Sequence, residues 1–356
     1  MLDEPVFVVG YPADVGGANT ECWHTIRLWR SLGIDVRLIP TWDAPANWKE
    51  KIDAIGCTTY EVTPDSLGDV PDLQGGLVVS FCNEKLWQTW NKWEQLDLRT
   101  VWVNCMTIIN RFERMRSSLC DAYVFQSNYQ RRMIEPGLST FGYTTDRGHL
   151  IRGAFCIEDF PFVMAPHKAD TPFWIGRISR AAADKFSRDT WKVYEAINYR
   201  PLRALVMGYD EKVAHKLGDT PCFAQTQPAG VMTAQEFYRS IHCLVHLTGG
   251  SRENWPRCGL EAMASGVIVV AERNYGWREM IHHGVTGFLG RGFHEYAHWA
   301  AVVGMMHPER QLEMALEARR RVERLSDPEQ IGGQWVELFK GLAKRRTTEC
   351  VSALPS

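Results

Sequence analysis

Short apolar runs alternate with segments of helical periodicity along most of this sequence. Runs such as Pro5–Tyr11, Leu77–Cys82 and Leu202–Gly208 are rich in aliphatic and aromatic residues and contain few polar ones. Such runs are typical of parallel strands that are covered on both faces. Between Pro5–Tyr11 and the next predicted strand, Ile34–Pro40, the segment Ala18–Leu32 carries apolar residues at helical spacing and ends before Gly33. The repeated alternation predicts an α/β fold with doubly wound parallel sheets.

The same pattern continues to the end of the chain. Further strands are predicted at Ile34–Pro40, Thr100–Cys105, Ala122–Gln126, His149–Arg152, Pro172–Arg177, Cys243–Thr248 and Val267–Ala271. A chain of 356 residues is longer than a domain with a single hydrophobic core usually is, so two domains are expected. We place the first domain at residues 1–155 and the second at 156–326, with a closing helix and tail at 327–356.

The stretch Ser251–Gly266, SRENWPRCGLEAMASG, lies between two predicted strands. Pro256 suits the first turn of a helix, and Gly266 can end it in a left-handed conformation. Asn254 is expected to accept a hydrogen bond from the first helical N–H groups. An anion can bind at this helix start, where the dipole is positive and the first N–H groups lack helical partners. Those groups belong to Arg257, Cys258 and Gly259, and Gly259 would let a ligand approach the backbone.

Two carboxylates flank this predicted anion site. Glu253 lies in the preceding loop and Glu261 on the second turn of the helix. Carboxylates accept hydrogen bonds and do not hold phosphate, so these two are expected to bind hydroxyl groups. A sugar joined to a nucleotide diphosphate offers both hydroxyls and phosphates.

With its tail Gly-Leu-Glu-Ala-Met-Ala-Ser-Gly, the spacing of Glu253 and Glu261 resembles the E-x7-E motif of retaining GT-B glycosyltransferases of glycosyltransferase family 4. The following runs Gly276–Ile281 and His283–Leu289 are similar to that family's downstream pattern. The resemblance implies two Rossmann-like doubly wound domains that face each other across a cleft. It also implies a C-terminal helix that crosses back to the first domain.

The resemblance assigns roles to individual residues. Arg177 and Lys185 resemble the family's pair of cations that hold the diphosphate, with Arg180 and Arg188 as alternatives. Glu253 would contact sugar hydroxyls near the reacting carbon, and Glu261 would hold the ribose. The remaining donor-binding residues would be Gly16 and Gly17 in a glycine-rich turn and Arg257, Cys258, Gly259 and Leu260 at the helix start.

One departure from the family concerns the sugar. Where the family often has a histidine at the end of the fourth strand, this chain reads Val103-Asn104-Cys105-Met106-Thr107. How the donor sugar is held therefore stays open, as does the base, for which UDP, GDP, ADP and TDP are all candidates.

Composition and charge narrow the function classes. A formal net charge of −2 provides no positive field for nucleic acid, so no nucleic-acid partner is expected. The ten cysteines contain no C-x-x-C pair and indicate a reduced, cytoplasmic protein, as does the lack of an export signal. Neither H-E-x-x-H nor D-x-D occurs, so no metal is predicted. No cofactor is expected, since the nucleotide sugar is a substrate.

Two side-chain groups have alternative interpretations. Trp87, Trp90 and Trp93 are three residues apart on one predicted helix, Asn83–Gln95, and either pack into the domain or stack on an acceptor sugar. Five arginines, Arg111, Arg114, Arg116, Arg131 and Arg132, either form a solvated face or make a weak peripheral contact with an anionic membrane or the acceptor. The solvated face is favoured because acidic residues are interspersed.

The sequence therefore predicts metal-independent, retaining transfer of a sugar from a nucleotide-diphosphate sugar to a hydroxyl acceptor. The acceptor could be a glycan, a lipid-linked sugar or a small molecule. Two alternatives remain, a nucleotide-sugar epimerase of the same fold and a noncatalytic nucleotide-sugar-binding protein. A nicotinamide-dependent dehydrogenase is disfavoured because the first glycine-rich turn is not G-x-G-x-x-G.

Overall fold

The computed structural model describes residues 2–13, 16–42 and 44–352, with side chains up to residue 343. Two compact units divide the chain. Unit 1 comprises Met1–Phe155 and Asp327–Ser356, and unit 2 comprises Cys156–Ser326. No helix in the described part of the chain is both long and apolar enough to span a membrane.

Unit 1 is built on a parallel sheet. Its strands are β1 (Val6–Val9), β2 (Val36–Ile39), β3 (Thr58–Thr59), β4 (Leu77–Phe81), β5 (Arg99–Val103), β6 (Ala122–Phe125) and β7 (Gly148–Leu150). They lie in the order β3-β2-β1-β4-β5-β6-β7. Val6 of β1 pairs with both Val36 and Leu77, so β1 is central and its side chains are buried on both faces. This double burial explains the unbroken apolar run.

The helices of the first part of the chain lie between these strands. They are α1 (Gly17–Ser31), α2 (Ala46–Ala54), α3 (Glu84–Gln88), α4 (Trp90–Trp93), α5 (Arg111–Arg116) and α6 (Asn128–Ser139). The single helix predicted at Asn83–Gln95 is wrong, since α3 and α4 are separate short helices. Trp87, Trp90 and Trp93 are at most 8% exposed and belong to the core, so stacking on an acceptor is excluded.

Unit 2 repeats this architecture. Its strands are β8 (Phe173–Ile178), β9 (Leu202–Met207), β10 (Ala224–Gln227), β11 (Cys243–His246), β12 (Ile268–Glu272) and β13 (Phe288–Gly290). The parallel order is β10-β9-β8-β11-β12-β13. Its helices are α7 (Thr190–Glu195), α8 (Glu211–Leu217), α9 (Ala234–Arg239), α10 (Arg257–Ser265), α11 (Trp277–Met280), α12 (Gly292–Met305) and α13 (Pro308–Leu325).

The last helix, α14 (Pro328–Ser352), belongs to unit 1. Its buried residues Ile331, Trp335, Leu338, Phe339 and Leu342 join the core formed by α1 and the sheet. The Trp335 and Phe339 rings lie 5.0 and 5.3 Å from the ring of Trp29 on α1. Two Rossmann-like sheets and a returning C-terminal helix confirm the predicted fold class.

Candidate functional site

The predicted site residues of unit 2 follow the two central strands of its sheet. Strands β8 and β11 are neighbours in the middle of the sheet. From β8 the chain continues outward through β9 to β10, and from β11 it continues outward on the other side through β12 to β13. The direction in which strands are added therefore reverses between β8 and β11. Ligands of open α/β sheets bind at the carboxyl ends of the strands beside such a reversal. Arg177 lies near the end of β8 and Lys185 in the loop after it, while Glu253 and α10 follow β11.

Lys185 and Glu253 connect the two loops through an ion pair. The Lys185 Nζ atom lies 2.8 Å from Oε1 of Glu253, and the two side chains are 21% and 14% exposed. Ser251 Oγ donates to the same carboxylate oxygen over 3.3 Å. A partly buried, charge-assisted hydrogen bond of this length fixes both side chains at the centre of the predicted site.

Backbone contacts hold the same two loops together. Gly249 N–H donates to the carbonyl of Asp184 over 3.0 Å. A side chain at Gly249 would place its Cβ 1.9 Å from the carbonyl oxygen of Phe186, so only glycine fits. Lys216 on α8 donates from Nζ to the carbonyls of Ala183 and Gly249 over 2.6 and 3.1 Å. Lys216 was not identified from the sequence, because nothing along the chain indicates which loops α8 contacts.

Arg177 is buried behind Lys185. Its side chain is 1% exposed, and its guanidinium carbon lies 5.0 Å from the centre of the Phe186 ring. The two terminal nitrogens donate to the carbonyls of Ile178 and Lys185. The structure therefore places the Arg177 charge within the fold and uses it to hold the backbone that carries Lys185.

The start of α10 differs in two respects from the prediction. The N-cap residue is Pro256, so Asn254, two positions earlier, is not the N-cap residue itself. Gly259 N–H already donates to the Pro256 carbonyl over 3.0 Å and is not available as a ligand donor. The N–H groups of Arg257 and Cys258 come before this first helical bond, at the positive end of the dipole. The predicted C-terminal end is confirmed, since Gly266 has φ 90°.

Gly259 and Leu260 serve to pack α10. A Cβ atom on Gly259 would lie 2.5 Å from Cζ3 of Trp277 and 2.7 Å from Sδ of Met280. Leu260 is fully buried in the core. The prediction that Gly259 leaves room for a ligand is therefore wrong, since the missing side chain leaves room for α11.

Glu261 has a buried tyrosine as its partner. The Tyr238 hydroxyl lies 3.0 Å from Oε2 of Glu261 and 3.1 Å from the carbonyl oxygen of Cys258. Burial raises the pKa of the Glu261 carboxyl, while the charge of Arg257 and the hydrogen bond from Tyr238 oppose the rise. Tyr238, on α9, was not identified from the sequence, since its contact with α10 depends on how the two helices pack.

The predicted carboxylates and cations converge around Cys258. Burial raises the pKa of its thiol to about 12. The charge of Arg177 opposes this rise, Glu253 and Glu261 add to it, and Lys185 opposes it. All four charged groups therefore act on one atom at the start of α10. The residues that the sequence separates by up to 84 positions form one cluster within unit 2.

Two further polar residues lie at the ends of β12 and β11, beside this cluster. Glu272, at the end of β12, accepts hydrogen bonds from Thr248 N–H and Oγ1, both over 2.9 Å, and burial raises its pKa. His246, at the end of β11, is 1% exposed. Burial lowers its pKa well below the usual value, and the charges of Arg177 and Lys185 lower it further. His246 and Glu272 are polar residues that end otherwise apolar strands, and this pattern could have identified both from the sequence.

Gly16 and Gly17 lie in unit 1. Gly16 is the N-cap of α1 with φ 112°, a conformation that favours glycine, and Gly17 is the first helical residue. Asp14 and Val15, which precede them in the predicted glycine-rich turn, lie outside the described residues. A role of the two glycines in donor binding stays a prediction.

A cavity of about 450 Å³ opens at the carboxyl ends of β1 and β4 in unit 1. Its lining includes the polar side chains of Asn19, Thr41, Asn83 and Lys85. Asn83 Nδ2 donates to Thr41 Oγ1 over 2.7 Å, and Lys85 Nζ donates to the Thr41 carbonyl over 2.7 Å. The cavity lies where the strand order of unit 1 reverses, between β1 and β4.

Asn104, which with Cys105 lies near the place of the missing family histidine, is fully buried. Its Nδ2 atom donates to Glu113 Oε1 over 2.8 Å and to the Tyr123 hydroxyl over 2.6 Å. Its Oδ1 atom accepts from the N–H of Met106 over 2.7 Å. The side chain is engaged in the interior of unit 1 and has no group to offer a sugar.

Comparisons with known proteins bear on the family and the fold. Residues 213–326 match the sequence profile of the family "Glycosyl transferases group 1". No curated protein matches the chain.

Solved structures of the same fold cover nearly the whole chain. HepE of Anabaena in complex with UDP and glucose is 15% identical, with a TM-score of 0.69, over 95% of this chain and 99% of its own. A sucrose-phosphate synthase from Thermosynechococcus elongatus is 15% identical, with a TM-score of 0.70, over 96% and 100%. A glycosyltransferase from Rickettsia africae gives the same values. At this identity, the similarity shows the GT-B fold.

Proposed function

We propose that this chain, a glycosyltransferase of the GT-B fold with a glycosyl transferases group 1 domain at residues 213–326, moves a sugar from a nucleotide-diphosphate sugar to a hydroxyl acceptor. One observation carries the proposal. Lys185 pairs with Glu253 over 2.8 Å, and Glu261 lies on α10 near its N-terminus, beside the reversal of the sheet. That position combines groups for an anion with groups for hydroxyls. The complex of HepE with UDP and glucose supports a donor of this class.

The two carboxylates bind hydroxyl groups of the donor. Glu261 accepts hydrogen bonds from the ribose. The Tyr238 hydroxyl donates to its Oε2 atom and so holds the carboxylate in position. Glu253 accepts from sugar hydroxyls close to the anomeric carbon. Because its Oε1 atom already accepts from Lys185, its second oxygen is the one that faces the sugar.

The diphosphate lies between Lys185 and the start of α10. The N–H groups of Arg257 and Cys258 and the ammonium of Lys185 are the donors that approach its oxygens. Negative charge grows on the diphosphate as the glycosidic bond breaks, so fixed donors stabilise the transition state more than the ground state. Arg177 acts through Lys185, since its own terminal nitrogens hold the backbone there.

Transfer retains the configuration of the anomeric carbon. The bond from that carbon to the phosphate oxygen breaks, and the acceptor oxygen forms its bond on the same face. The departing phosphate oxygen takes the proton of the acceptor hydroxyl, so no separate base is assigned. The ammonium of Lys185 supplies the positive charge that a metal ion supplies in other transferases, and the reaction is proposed to be metal-independent.

The acceptor binds unit 1, and the polar cavity at the ends of β1 and β4 is the place that fits it. Amide, hydroxyl and ammonium groups from Asn83, Thr41 and Lys85 suit a hydroxyl-rich acceptor such as a glycan. Free thiols are expected of a cytoplasmic enzyme, and all nine cysteines with described side chains are free. Cytoplasmic location is part of the proposal.

Thermal-shift screening of the full chain against UDP, GDP, ADP, TDP and their sugars tests the proposal. One nucleotide series is expected to bind, and a ligand at a hundred times its Kd adds about 2.7 kcal/mol of stability. The stabilising donor is then incubated with and without candidate acceptors, and products are identified by mass spectrometry.

The outcomes of this experiment separate the alternatives. Transfer to an acceptor with the same anomeric configuration supports the proposal. Conversion of the nucleotide sugar without any acceptor indicates an epimerase. Binding without transfer or hydrolysis indicates a noncatalytic protein, and no binding by any nucleotide sugar contradicts the donor site.

A further inference from the structure

Two thiols lie side by side at the carboxyl end of the sheet of unit 1. Cys82 directly follows β4, and Cys105 follows β5 by two residues. The two strands are neighbours, and Phe81 pairs with Val103 at their ends. Neighbouring strands lie about 4.8 Å apart, and the Cα atoms of a disulfide lie about 5.5 Å apart. The spacing of the strands therefore suits a disulfide between the residues that follow them.

The contact between the two cysteines is direct. The N–H of Cys105 donates to the Sγ atom of Cys82 over 2.9 Å. The pKa of the Cys105 thiol is raised well above its usual value, first by a hydrogen bond with the Cys82 side chain and next by burial. Since this hydrogen bond joins the two side chains, their sulfur atoms are neighbours.

The backbone of Cys82 is held in an unusual conformation. Its φ of 51° lies in the left-handed region, which few residues other than glycine, asparagine and aspartate occupy. The N–H of Cys82 donates to the carbonyl of Val103 over 3.1 Å, and its thiol donates to Oδ1 of Asn104 over 3.8 Å. Such conformations persist where the surrounding structure fixes them, and they concentrate at functional sites. Here they direct the Cys82 side chain to the loop that carries Cys105.

The loop after β5 is fixed on both sides of Cys105. Oδ1 of Asn104 accepts from the N–H of Met106 over 2.7 Å. Gln130 Nε2 on α6 donates to the carbonyls of Asn104 and Met106 over 2.8 and 2.6 Å. Because the residues before and after Cys105 are anchored, its thiol stays beside Cys82.

The two thiols differ in access and in reactivity. Both side chains are half-buried, and Cys82 lines the cavity of about 450 Å³ at the ends of β1 and β4. A small oxidant that enters the cavity therefore reaches the Cys82 sulfur. The raised pKa of Cys105 keeps this residue in the less reactive thiol form. Cys82 is the thiol that reacts first, and Cys105 is the partner that closes the bond.

We propose that hydrogen peroxide converts Cys82 and Cys105 into a reversible disulfide that regulates the cavity of unit 1. The Cys82 sulfur attacks one oxygen of the peroxide, the O–O bond breaks, and Cys82 becomes a sulfenic acid while one water leaves. The Cys105 sulfur then attacks the Cys82 sulfur. The S–S bond forms, the S–O bond breaks, and the hydroxyl group leaves with the Cys105 proton as a second water.

Electrons balance in this sequence, since each sulfur gives up one electron and the peroxide takes up two. A dithiol reductant restores both thiols by exchange and is itself oxidised to a disulfide. Reversible disulfides of this kind are the redox-sensing type found in cytosolic proteins.

The effect on the cavity rests on the proposed function, in which the cavity binds the acceptor. Asn83 directly follows Cys82, and its Nδ2 atom donates to Thr41 Oγ1 in the cavity wall. Closing the bond to Cys105 moves Asn83 together with Cys82. The KM for the acceptor is expected to rise on the order of tenfold, the effect of about one lost hydrogen bond, while donor binding in unit 2 stays unchanged.

Peptide mapping of the full chain tests the disulfide. The protein is reduced, freed of reductant, exposed to hydrogen peroxide and alkylated. It is then digested with trypsin and a glutamate-specific protease without further reduction. Cleavage at Glu61 separates Cys82 from Cys57. The expected product is a pair of peptides joined through Cys82 and Cys105, lighter by two hydrogens than the separate peptides, and dithiothreitol separates the pair again.

Two variants and a matched control locate the bond. C82S is expected to abolish the joined peptides. C105S is expected to leave the Cys82 sulfenic acid without a partner, so that dimedone labels Cys82. The control C222S removes an exposed thiol of unit 2 and is expected to form the same pair in the same yield. Circular dichroism of each variant verifies that the fold is retained.

Three results would overturn the proposal. The first is full alkylation of both thiols after peroxide treatment. The second is a joined peptide that links Cys82 to Cys22, which also lines the cavity. The third is an unchanged acceptor KM in the oxidised protein, which would remove the regulation. A reduced protein without transfer activity would contradict the proposed function instead, and the joined peptides would still decide the disulfide.

Discussion

Lys185 and Glu253 show how one contact can join two distant parts of the sequence. Their ion pair is partly buried, so removing either partner leaves the other charge poorly compensated. In the proposed site, Lys185 also faces the diphosphate, while Glu253 keeps its ammonium in position. Because each residue holds the other in position, a mutation of either one also changes what its partner contributes to catalysis.

Replacing Lys185 by alanine is expected to lower kcat about a hundredfold, roughly 3 kcal/mol of transition-state stabilisation, because a fixed donor to the diphosphate is lost. Steady-state kinetics with the identified donor measures the change. Lys192→Ala, which removes a 72% exposed lysine of the same unit, is the control and should leave kcat unchanged. Near-normal turnover by the Lys185 variant would remove this residue from the diphosphate site.

His242, just before β11, is expected to make the protein acid-labile. Its pKa is lowered to about 4 by burial and by His167, so the unfolded chain binds a proton that the folded chain does not bind. Stability should therefore fall as the pH drops from 6.5 towards 4, by roughly 3 kcal/mol in total.

His242→Asn keeps an acceptor for the N–H of Trp174 and removes the titration. Urea unfolding at several pH values should show a shallower loss of stability in this variant. His215→Asn, at an exposed position, serves as the control and should behave like the unchanged protein. Identical slopes for the His242 variant would assign the acid lability to other groups.

At the scale of elements, α10 is positioned by the absence of a side chain at Gly259. The helix packs so closely on α11 that the ring of Trp277, itself fully buried, occupies the space of a Cβ. Since the start of α10 presents its N–H groups to the proposed diphosphate, this packing sets the position of the anion site.

Gly259→Ala is expected to destabilise the protein by about 1–3 kcal/mol, because the rigid Trp277 ring must move. Gly333→Ala, in a helix with no neighbouring atom within 4 Å of the new Cβ, is expected to stabilise by up to about 1 kcal/mol. Denaturant unfolding of both variants measures the difference. Equal effects would mean that α10 can shift away from α11 without cost.

At the scale of the whole molecule, unit 1 is made of two separate parts of the chain. Its core includes Ile331, Trp335, Leu338, Phe339 and Leu342 from α14, and each of these buried side chains contributes about 1.5–3 kcal/mol. Together they match the 5–15 kcal/mol of total stability that a domain typically has. Unit 1 therefore requires the C-terminal helix.

A chain that ends at Ser326 is expected to lose hydrogen-exchange protection in β1 and β4 while β8 and β11 keep theirs. A chain that ends at Arg345 retains all five buried side chains and should resemble the full protein. Exchange measured by mass spectrometry distinguishes the two. Full protection of β1 in the shorter chain would show that unit 1 folds without α14.

Local patterns predicted the alternation of strands and helices and the left-handed end of α10 at Gly266, whereas the candidates Arg177 and Lys185 came from the family resemblance. These local features depend on residues within a few positions of each other, through apolar periodicity and the conformational freedom of glycine. They can therefore be predicted from the sequence. The class of fold follows from them because few topologies bury so many parallel strands.

Only the tertiary structure decided what each candidate touches. It placed Tyr238 on Glu261 and Lys216 on the loop of Gly249, gave Gly259 a packing role, and buried the tryptophans of α3 and α4. Such contacts join residues far apart in the chain, and the packing of whole elements, which no local pattern encodes, determines them.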